Sequence, residues 1–400
     1  MRITIVSNYL FPEIGAAANR ITQMAKALGR QHDVTVLAPL PNYPTGSIYE
    51  AYKGRFFLRE QQEGFKARRY WTYNTISMSP IKRLVSMVSF GFTILFEMRN
   101  WLRRPPDIVI VQNSPLLVSC FAIFYLKLFT KAKIVLNVSD LWPLSALELG
   151  AIQKGAFYSF LERLERYNYK SSKLILGQSE EIISYVKTKV PDRKFFLYRN
   201  IPIITQKCVV RNRYSDKTRL KLVYAGLLGV AQGVFEICQH VNFKELKVEF
   251  HIYGKGNELE QIKNYIKTNP DSNVHYKDSY DAQTIRKMLR TYDFAIVPLK
   301  SRIYGAVPSK IFELTLLQVP ILFCGGGEGA GIVENEGIGL ISDPGNFEQL
   351  TDNIIKARQL SKNEYEKIVN SCTKLAREKY DFQEQVNRLH KILNEFEDEG

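Results

Sequence analysis

Residues 305–322 place a lysine and a glutamate directly behind a small-residue turn, a pattern that suits phosphate and sugar recognition. The segment, GAVPSKIFELTLLQVPIL, runs from the turn into an amphipathic helix, which Pro320 ends before a buried apolar strand. The start of the helix and the Lys310 ammonium favour an anion, while Glu313 can accept hydrogen bonds from a neutral diol. Phosphate plus ribose is the simplest ligand that offers both, and a capped helix with two surface charges is the alternative. The candidate contacts are Val307, Pro308, Ser309, Lys310 and Glu313.

Glycine loops follow several other predicted strands. Residues 13–20, EIGAAANR, join the first strand to the first helix, and Gly15 would let the backbone approach a ligand there. The loops 224–233, YAGLLGVAQG, and 253–256, YGKG, each follow a strand of the second half. Most such loops are merely turns when taken singly, but their recurrence at strand ends in both halves favours ligand binding. The candidate residues in them are Gly15, Arg20, Gly226, Gly229, Gln232 and Gly254.

Strands and helices alternate along both halves, which predicts an α/β protein with two Rossmann-like domains whose parallel sheets face a cleft. Strands are expected at 2–7, 33–38, 65–71, 107–112, 133–138 and 173–178 in the first half. After a polar linker at 205–219 they are expected at 220–225, 247–253, 274–276, 294–299 and 321–324. Ligands of such sheets bind at the carboxyl ends of the strands, so the gap between the domains is the expected site.

The composition is that of a soluble globular protein, with 45% hydrophobic and 24% charged residues in 400. The five cysteines are scattered and form no CxxC pair, so we expect them to be reduced. The five histidines show no HxxxH or HxH spacing and there is no Asp-x-Asp, so no metal site is expected. The start, MRITIVSNYLFPE, predicts a first strand rather than a signal peptide, and the apolar runs are too short to span a bilayer. These features predict a cytoplasmic protein.

The net charge of +15 is concentrated in the first half of the chain. Residues 1–200 hold 28 Lys and Arg against 14 Asp and Glu, whereas residues 201–400 hold 27 against 26. The segments 80–104 and 116–129 also place basic residues around apolar helical faces, as in proteins that lie on anionic lipid. A core helix with a solvated end is the alternative for either segment alone. The charge asymmetry favours peripheral binding to the inner face of the plasma membrane.

Four motifs in order resemble those of the family 4 glycosyltransferases with the two-domain GT-B fold, especially bacterial enzymes of O-antigen and capsule synthesis, including N-acetylfucosaminyltransferases. They are the FPE-x-G…R opening, the NYPTG loop at 42–46, the DLWP segment at 140–143 and the GAVPSK-x-x-E segment at 305–313. The likeness covers nearly the whole chain. It implies an acceptor-binding domain at 1–200, a nucleotide-sugar-binding domain at 201–380, and a helix within 381–400 that crosses back to the first domain.

The resemblance also implies site roles, with two departures. Glu313 matches the second Glu of the family's Glu-x7-Glu motif, which holds the nucleotide ribose, but Gly305 stands where the first Glu would be. The loop that matches the family's diphosphate loop has Gln232 and lacks that loop's Arg and Lys, so Lys310 becomes the candidate cation, helped by Arg20 and Arg199. The missing carboxylate near the donor sugar fits a deoxy or N-acetylated sugar.

The first domain offers acceptor and catalytic candidates. Asp140, at a predicted strand end beside a Trp-Pro turn, could accept a hydroxyl proton or stabilise an oxocarbenium-like centre. The alternative is a turn residue that bonds its own backbone. His32, the only histidine in residues 1–200, is interpreted as structural. The acceptor candidates are Glu13, Asn42, Tyr43 and Trp142.

The expected function is therefore a metal-independent, retaining transfer of a sugar from a UDP-sugar to an undecaprenyl-diphosphate-linked saccharide, with no separate cofactor. A UDP-sugar 2-epimerase of the same fold is one alternative, although the scarcity of histidine in the first domain argues against it. A basic, non-enzymatic protein that binds nucleic acid or membrane is the other. No aromatic-interleaved basic motif or helix-turn-helix supports nucleic-acid binding.

Overall fold

The computed structural model describes residues 1–43, 46–75, 80–204, 220–278 and 280–398. They form two compact units. The first comprises Met1–Asn200 together with Phe382–Gly400, and the second comprises Ile201–Asp381. The first unit is therefore discontinuous in sequence, since the second is inserted before its last helix. The linker predicted at 205–219 lies outside the described residues.

Strands and helices alternate through both units. The strands are β1 (Arg2–Val6), β2 (Asp33–Pro39), β3 (Phe57–Gln62), β4 (Phe65–Tyr70), β5 (Ile108–Gln112), β6 (Lys133–Val138), β7 (Leu174–Gly177), β8 (Lys194–Leu197), β9 (Leu220–Leu227), β10 (Val248–Lys255), β11 (Val274–Lys277), β12 (Phe294–Pro298), β13 (Ile321–Cys324) and β14 (Gly339–Ser342). The helices are α1 (Ala16–Leu28), α2 (Pro80–Thr93), α3 (Met98–Arg103), α4 (Leu116–Phe129), α5 (Leu144–Glu148), α6 (Ala156–Ser171), α7 (Glu180–Lys189), α8 (Val234–His240), α9 (Leu259–Thr268), α10 (Ala282–Leu289), α11 (Ser309–Leu316), α12 (Gly327–Asn335), α13 (Phe347–Gln359), α14 (Lys362–Glu378) and α15 (Phe382–Asp398).

The first unit is built on an eight-stranded sheet in the order β3-β4-β2-β1-β5-β6-β7-β8. All neighbouring strands are parallel except β3 and β4, which form an antiparallel hairpin at the edge. The apolar strands are buried on both faces, as expected for a parallel sheet covered by helices. One face of the core includes Leu389, Leu393 and Phe396 of α15, all fully buried against strand and α1 side chains. The last helix of the chain therefore completes the core of the first unit.

The second unit is built on a six-stranded parallel sheet in the order β11-β10-β9-β12-β13-β14. Sequence order reverses between β9 and β12, so this is the topological switch point at which ligands of open α/β sheets bind. These two strands pair only where Leu222 and Val223 face Phe294 and Ala295. Beyond those residues β9 and β12 are no longer paired as neighbouring strands, which leaves room between their carboxyl ends.

The α/β fold with two parallel sheets is confirmed, while some elements differ from the sequence-based expectation. The hairpin strand β3, FLREQQ, was not expected because its polar, half-exposed residues lack an apolar run. The short edge strands β8 and β14 and the helices α12–α14 were not expected either. Helix α11 ends at Leu316, before Pro320, because Gln318 adopts a left-handed conformation with φ 58°.

Candidate functional site

A cavity of about 150 Å³ opens at the switch point of the second sheet. The ends of β9 and β12 form its walls, and the loop before α8 and the first turns of α11 close it. Most of the lining is apolar, so the cavity can bury a flat ring or an aliphatic group, while a few polar groups can set its orientation. The lining includes Tyr224, Gly226, Gln232, Pro298, Pro308 and Lys310.

Glu313 lies between two cations beside this cavity. Its Oε2 is 2.6 Å from Lys310 Nζ, and its Oε1 accepts a hydrogen bond of 2.9 Å from Arg286 Nε. The Glu313 side chain is only 14% exposed. Burial alone would raise the pKa of Glu313, but Lys310 and Arg286 outweigh it and hold the pKa below its ordinary value. The carboxylate is therefore ionised and fixed in one orientation, with Lys310 shared between it and the cavity.

Arg286 was not expected from the sequence. It projects from α10, which the chain reaches 27 residues before Glu313, and its Nη1 also donates to the carbonyl of Ile203 at 3.1 Å. No local pattern in the sequence of α10 signals this contact, because it depends on how α10 and α11 pack beside the sheet.

The first turn of α11 leaves backbone donors for a ligand. Pro308 is the N-cap residue, and no side chain caps the helix start among the described residues. The first N–H groups of a helix have no partner within the helix, so water or an anion is required there. Val307 is buried, whereas Pro308 and Ser309 are half-buried. The structure thus brings the helix start, Lys310 and Glu313 into one region.

The loop between β9 and α8 adds an unpartnered polar atom. Gln232 Oε1 is buried and has no hydrogen-bond partner within the described ranges. It lies 2.8 Å from where a Cβ at Gly229 would be, so the glycine makes space for the amide. Lys300, a second cation not expected from the sequence, follows β12 and pairs with Glu236 at 2.6 Å. A hydrogen-bond donor on a ligand or water can satisfy the buried amide oxygen.

Gly254 serves the packing of the strand ends. Its φ of 148° lies in the region that favours glycine, and a Cβ there would be 1.9 Å from the Gly226 carbonyl oxygen. Neither Gly229 nor Gly254 lines the cavity itself. The close approach of β9 and β10 therefore accounts for glycine at position 254.

In the first unit, Glu13 holds the loop that carries Asn42 and Tyr43. Its Oε1 accepts hydrogen bonds of 2.9 Å from the backbone N–H groups of both residues, and its Oε2 accepts one of 3.2 Å from Leu10. Burial raises the pKa of Glu13, while these backbone donors act in the opposite direction. Glu13 is buried, so it contacts the loop rather than solvent. Of the predicted 42–46 loop, Pro44 and Thr45 lie outside the described residues.

Gly15 and Arg20 take different positions on α1. Gly15 is the N-cap residue, and a Cβ there would meet only Tyr43 Cε1, at 3.5 Å. Its φ of 163° is extended, so the backbone itself does not require glycine. Arg20 is 3% exposed and its guanidinium faces Gln178 and Gln112. This burial does not favour the diphosphate contact expected of Arg20.

Asp140 and Trp142 lie together in the loop between β6 and α5. Asp140 Oδ2 accepts a hydrogen bond of 3.1 Å from Ser145 Oγ, and the Trp142–Pro143 peptide is cis. Burial raises the pKa of Asp140, opposed by the Ser145 hydroxyl. Both side chains are half-buried at the carboxyl edge of the first sheet. A carboxylate with a raised pKa at such an edge can accept a proton from a bound hydroxyl.

The first unit contains a second histidine besides His32, because α15 adds His390 to it. His32 Nε2 and His390 Nδ1 are 3.0 Å apart. Burial and the partner ring lower the pKa of His32 to about 4, and burial lowers that of His390 as well. The pair joins the residue before β2 to the last helix.

Three further observations concern metal sites, disulfides and membrane-spanning helices. Across residues 1–43, 46–75, 80–204, 220–278 and 280–398, no group of three or more His, Cys, Asp and Glu is arranged to hold a metal ion. None of the four described cysteines is in a disulfide, and Cys208 lies outside the described residues. Within the same ranges, no helix is both long and apolar enough to cross a bilayer.

Helices α2, α3 and α4 form an exposed surface that we call the apolar–basic face. The helices pack on one another, yet large apolar groups are exposed on them and on the 3₁₀ turn between α2 and α3, such as Leu128, 62% exposed, and Phe96, 61% exposed. Phe92 contacts Phe121 of α4, with ring centroids 6.1 Å apart. The face consists of Phe92, Phe96, Leu102, Phe124 and Leu128 with the cations Arg99, Arg103, Arg104, Lys127 and Lys131.

Comparisons with known proteins agree with this architecture. Residues 219–359 match the family model described as "Glycosyl transferases group 1". No curated protein matches the chain. Among solved structures, sucrose-phosphate synthase from Thermosynechococcus elongatus is similar over 100% of both chains, with a TM-score of 0.75 and 11% identity.

Two further structures have the same fold. An E. coli trehalose-6-phosphate structure bound with UDP-2-fluoro glucose covers 98% of this chain and 99% of its own, with a TM-score of 0.71 and 12% identity. WaaG, a glycosyltransferase involved in lipopolysaccharide biosynthesis, has a TM-score of 0.67 and 13% identity over 98% of this chain and 99% of its own. Residues 219–359 thus carry the sequence pattern of the group 1 glycosyl transferases, on a chain that has the GT-B fold.

Proposed function

We propose that the chain is a retaining glycosyltransferase that moves a sugar from a UDP-sugar to an undecaprenyl-diphosphate-linked saccharide in O-antigen or capsular polysaccharide synthesis. The observation that carries the proposal is the cavity at the β9–β12 switch point, with Glu313 held beside it by Lys310 and Arg286. The match of residues 219–359 to group 1 glycosyl transferases supports the proposal, since the residues that line the cavity and Glu313 all lie within that range. The similar E. coli structure is bound with a UDP-sugar analogue.

The donor is assigned to the groups that meet at α11. Glu313 accepts hydrogen bonds from the ribose hydroxyls, and the first turn of α11 receives the diphosphate through its N–H groups and Lys310. Fixed dipoles and a lysine can stabilise a leaving diphosphate without a metal. The lack of a carboxylate at Gly305 favours an N-acetylated or deoxy hexose, for example N-acetylfucosamine.

The acceptor is assigned to the first unit. Asp140 receives the hydroxyl proton or stabilises the oxocarbenium-like centre, and Trp142 lies next to it in the same loop. Asn42 and Tyr43 contact the acceptor saccharide, and Glu13 sets their loop by accepting both of their backbone N–H groups. The lipid part brings the protein to the inner membrane face, where the apolar–basic face meets anionic lipid.

A nucleotide-sugar screen tests the donor assignment. Thermal unfolding is followed with UDP, UDP-GlcNAc, UDP-N-acetylfucosamine, UDP-glucose and GDP-mannose. A ligand at 100 times its Kd stabilises the folded state by about 2.7 kcal/mol, so binding gives a clear rise in Tm. We expect UDP and one N-acetylated UDP-sugar to raise Tm. If no nucleotide does so while the protein is folded, the proposal fails.

The variant Glu313→Gln tests the pocket itself. It keeps the side-chain shape but removes the charge, and hydrogen bonds to charged groups contribute about 1.5–3 kcal/mol. We therefore expect the Kd for UDP to rise at least tenfold, measured by calorimetry. Glu366→Gln, an exposed glutamate on α14, is the matched control and should bind UDP like the wild type. Unchanged UDP binding by Glu313→Gln would contradict the pocket assignment.

The same assays distinguish the 2-epimerase alternative. An epimerase interconverts the UDP-sugar without an acceptor, whereas a transferase releases UDP only when the sugar leaves. Incubation of each bound UDP-sugar alone, followed by chromatography, therefore separates the two activities.

A further inference from the structure

Arg20 is a buried cation whose hydrogen-bond partners are neutral. Its Nη1 donates to Gln178 Oε1 at 2.9 Å, and its Nη2 is 3.5 Å from Gln112 Oε1. Burial lowers the pKa of Arg20 to about 10, so the guanidinium is still charged at neutral pH. Among the described residues, no carboxylate lies within ion-pair distance of it. A buried charge without a counter-ion costs free energy, which calls for an explanation of why arginine is placed here.

The two glutamines converge on one residue, Ser139. Gln178 Nε2 donates to the Ser139 carbonyl oxygen and Gln112 Nε2 donates to Ser139 Oγ, each at 2.6 Å. Asn137 Nδ2 also donates to Gln112 Oε1, at 2.9 Å. The side chains come from α1, the end of β5 and the residue after β7. The network therefore links α1, β5 and β7 to Ser139, the first residue after β6.

The donor-only character of arginine explains the orientation of both amides. A guanidinium can donate hydrogen bonds but cannot accept them. Each glutamine must therefore present its oxygen to Arg20, and so it presents its NH2 group to Ser139. A carboxylate in the place of either glutamine would satisfy the charge of Arg20 but could not donate to Ser139. A neutral partner is thus required at position 178 if the buried charge is to hold the Ser139 carbonyl, whereas the Ser139 hydroxyl could itself donate to a carboxylate at position 112.

Ser139 immediately precedes Asp140 in the β6–α5 loop. We propose that Arg20, acting through Gln178 and Gln112, is a positioning residue that holds this loop and thereby sets the place of the Asp140 carboxylate. The carboxylate itself accepts the 3.1 Å hydrogen bond from Ser145, which lies five positions further along the chain. The inference rests on the proposed function in so far as Asp140 acts on the acceptor.

The variant Gln178→Glu is the first test because it is nearly isosteric. The new carboxylate keeps the contact with Arg20, as an ion pair, but it has no hydrogen to donate to Ser139. We expect kcat for UDP release to fall at least tenfold, with the donor KM within about twofold and no loss in Tm. The assay uses the UDP-sugar selected by the screen and a synthetic polyprenyl-diphosphate-linked N-acetylhexosamine.

Gln61→Glu is the matched control. Gln61 Nε2 also donates to backbone carbonyls, at 3.0 Å to Gln62 and 3.1 Å to Phe65, but on the exposed hairpin of β3 and β4. The same chemical change there should leave kcat as in the wild type. Wild-type kcat in a folded Gln178→Glu variant would overturn the proposal.

A double-mutant cycle separates positioning from a general effect on the first unit. If the network acts through Asp140, Gln178→Glu should lower kcat no further in an Asp140→Asn background. Additive losses would overturn the inference while leaving the role of Asp140 intact. Wild-type turnover by Asp140→Asn alone would instead overturn the proposed role of Asp140.

Hydrogen exchange gives a readout that does not depend on turnover. Exchange of the peptide at 139–149 should be at least fivefold faster in Gln178→Glu, with peptides from β1 and β2 unchanged. Equal exchange in the two proteins would overturn the proposal. If Gln178→Glu does not fold, Arg20→Lys takes its place, since a lysine keeps the charge but cannot hold both glutamines with the planar geometry of a guanidinium.

Discussion

Glu313 shows how much of the proposed donor site depends on single residues. Lys310 and Glu313 are three apart on one helix, and such pairs are close enough to interact, as their 2.6 Å contact shows. Arg286 is a second cation in contact with the carboxylate, and it reaches Glu313 from another helix. The carboxylate is therefore held in place before any ligand binds, so the ribose that we propose for this site would meet a fixed acceptor.

Asp140 gives a pH-dependent prediction at the residue scale. Because burial raises its pKa, the ionised form is lost as pH falls through a value above that of an ordinary aspartate. If the ionised carboxylate is the active form, kcat falls on the acidic side at a higher pH than for an exposed aspartate. Asp140→Asn should lower kcat by about 10²–10⁴-fold and abolish this acidic limb. The profile of kcat against pH is the measurement.

The control for Asp140 is Asp192→Asn, an exposed aspartate of the first unit. It should keep both the wild-type kcat and its pH profile. An acidic limb that persists in Asp140→Asn would assign the titration to another group.

Local sequence patterns predicted some of these residues and could not predict others. The turn at 305–310 and the spacing of Lys310 and Glu313 are contained in one short segment, so the segment indicates an anion and a diol by itself. Arg286 and the Gln178–Ser139 contact depend on side chains 27 and 39 positions away in the chain. Their residue types are ordinary for the elements that carry them, and only the packing of those elements brings them to the site.

At the scale of elements, Gly254 marks where β9 and β10 come too close for a side chain. Gly254→Ala would place a Cβ 1.9 Å from the Gly226 carbonyl oxygen at a φ of 148°. We expect a loss of several °C in Tm, or insoluble protein, and weaker UDP binding because the end of β9 at Gly226, which lines the cavity, must move. Thermal unfolding and calorimetry are the measurements.

Gly54→Ala is the matched control for that prediction. Gly54 also has a positive φ, 73°, but nothing lies within 4 Å of its Cβ position. Its cost should be limited to backbone strain, about 1 kcal/mol. An equal loss of Tm in both variants would mean that strain, rather than the clash, dominates at Gly254.

The His32–His390 pair makes the docking of α15 sensitive to acid. Both pKa values are lowered in the folded state, that of His32 to about 4, whereas an unfolded histidine titrates near 6.5. The unfolded chain therefore binds more protons between about pH 6.5 and pH 4, and stability falls as the pH is lowered through this range. We expect Tm to fall from pH 7.5 to pH 5, measured by circular dichroism.

His32→Gln tests this assignment because it removes one titrating ring from the pair. The fall in Tm between pH 7.5 and pH 5 should be smaller in the variant. His240→Gln, in the second unit, is the control, and it should keep the wild-type pH dependence. The prediction is wrong if His32→Gln loses as much Tm as the wild type.

The elements themselves were predictable where their residues form long apolar runs. The parallel strands β1, β2, β5 and β6 are buried on both faces and consist largely of continuous Val, Ile and Leu segments. Strand β3 is an edge strand with alternating exposed residues, so its signal is weak. The end of α11 depends on the left-handed conformation of Gln318, which few non-glycine residues adopt and no sequence rule marks.

At the scale of the whole molecule, most of the net positive charge lies in the first unit. With its last helix included, this unit holds 30 Lys and Arg against 19 Asp and Glu, while the second unit holds 25 against 21. The apolar–basic face is part of that unit, and Glu97, the only acidic residue of 80–104, is buried in contact with Arg68 and Tyr70. A surface of this kind complements an anionic bilayer.

Vesicle binding tests this complementarity. Each Lys or Arg near an anionic surface contributes about 1 kcal/mol, so Arg103→Gln/Arg104→Gln should weaken binding to phosphatidylglycerol vesicles by roughly thirtyfold. The measurement is cosedimentation at low salt, and binding should weaken as salt rises. Lys367→Gln/Lys374→Gln, on exposed positions of α14, removes the same charge from the second unit and should leave binding unchanged. Equal loss in both double variants would indicate an effect of net charge alone.

The placement of α15 also has a consequence for how the chain is made. The strands and α1 of the first unit are complete once residue 200 has been synthesised, but their core lacks Leu389, Leu393 and Phe396. At about 5–20 residues per second, the ribosome needs roughly 10–40 s more to reach Phe396. During that interval the second unit is synthesised, while the nascent first unit still lacks the apolar residues of α15. The core of the first unit is thus completed last, although most of that unit is synthesised first.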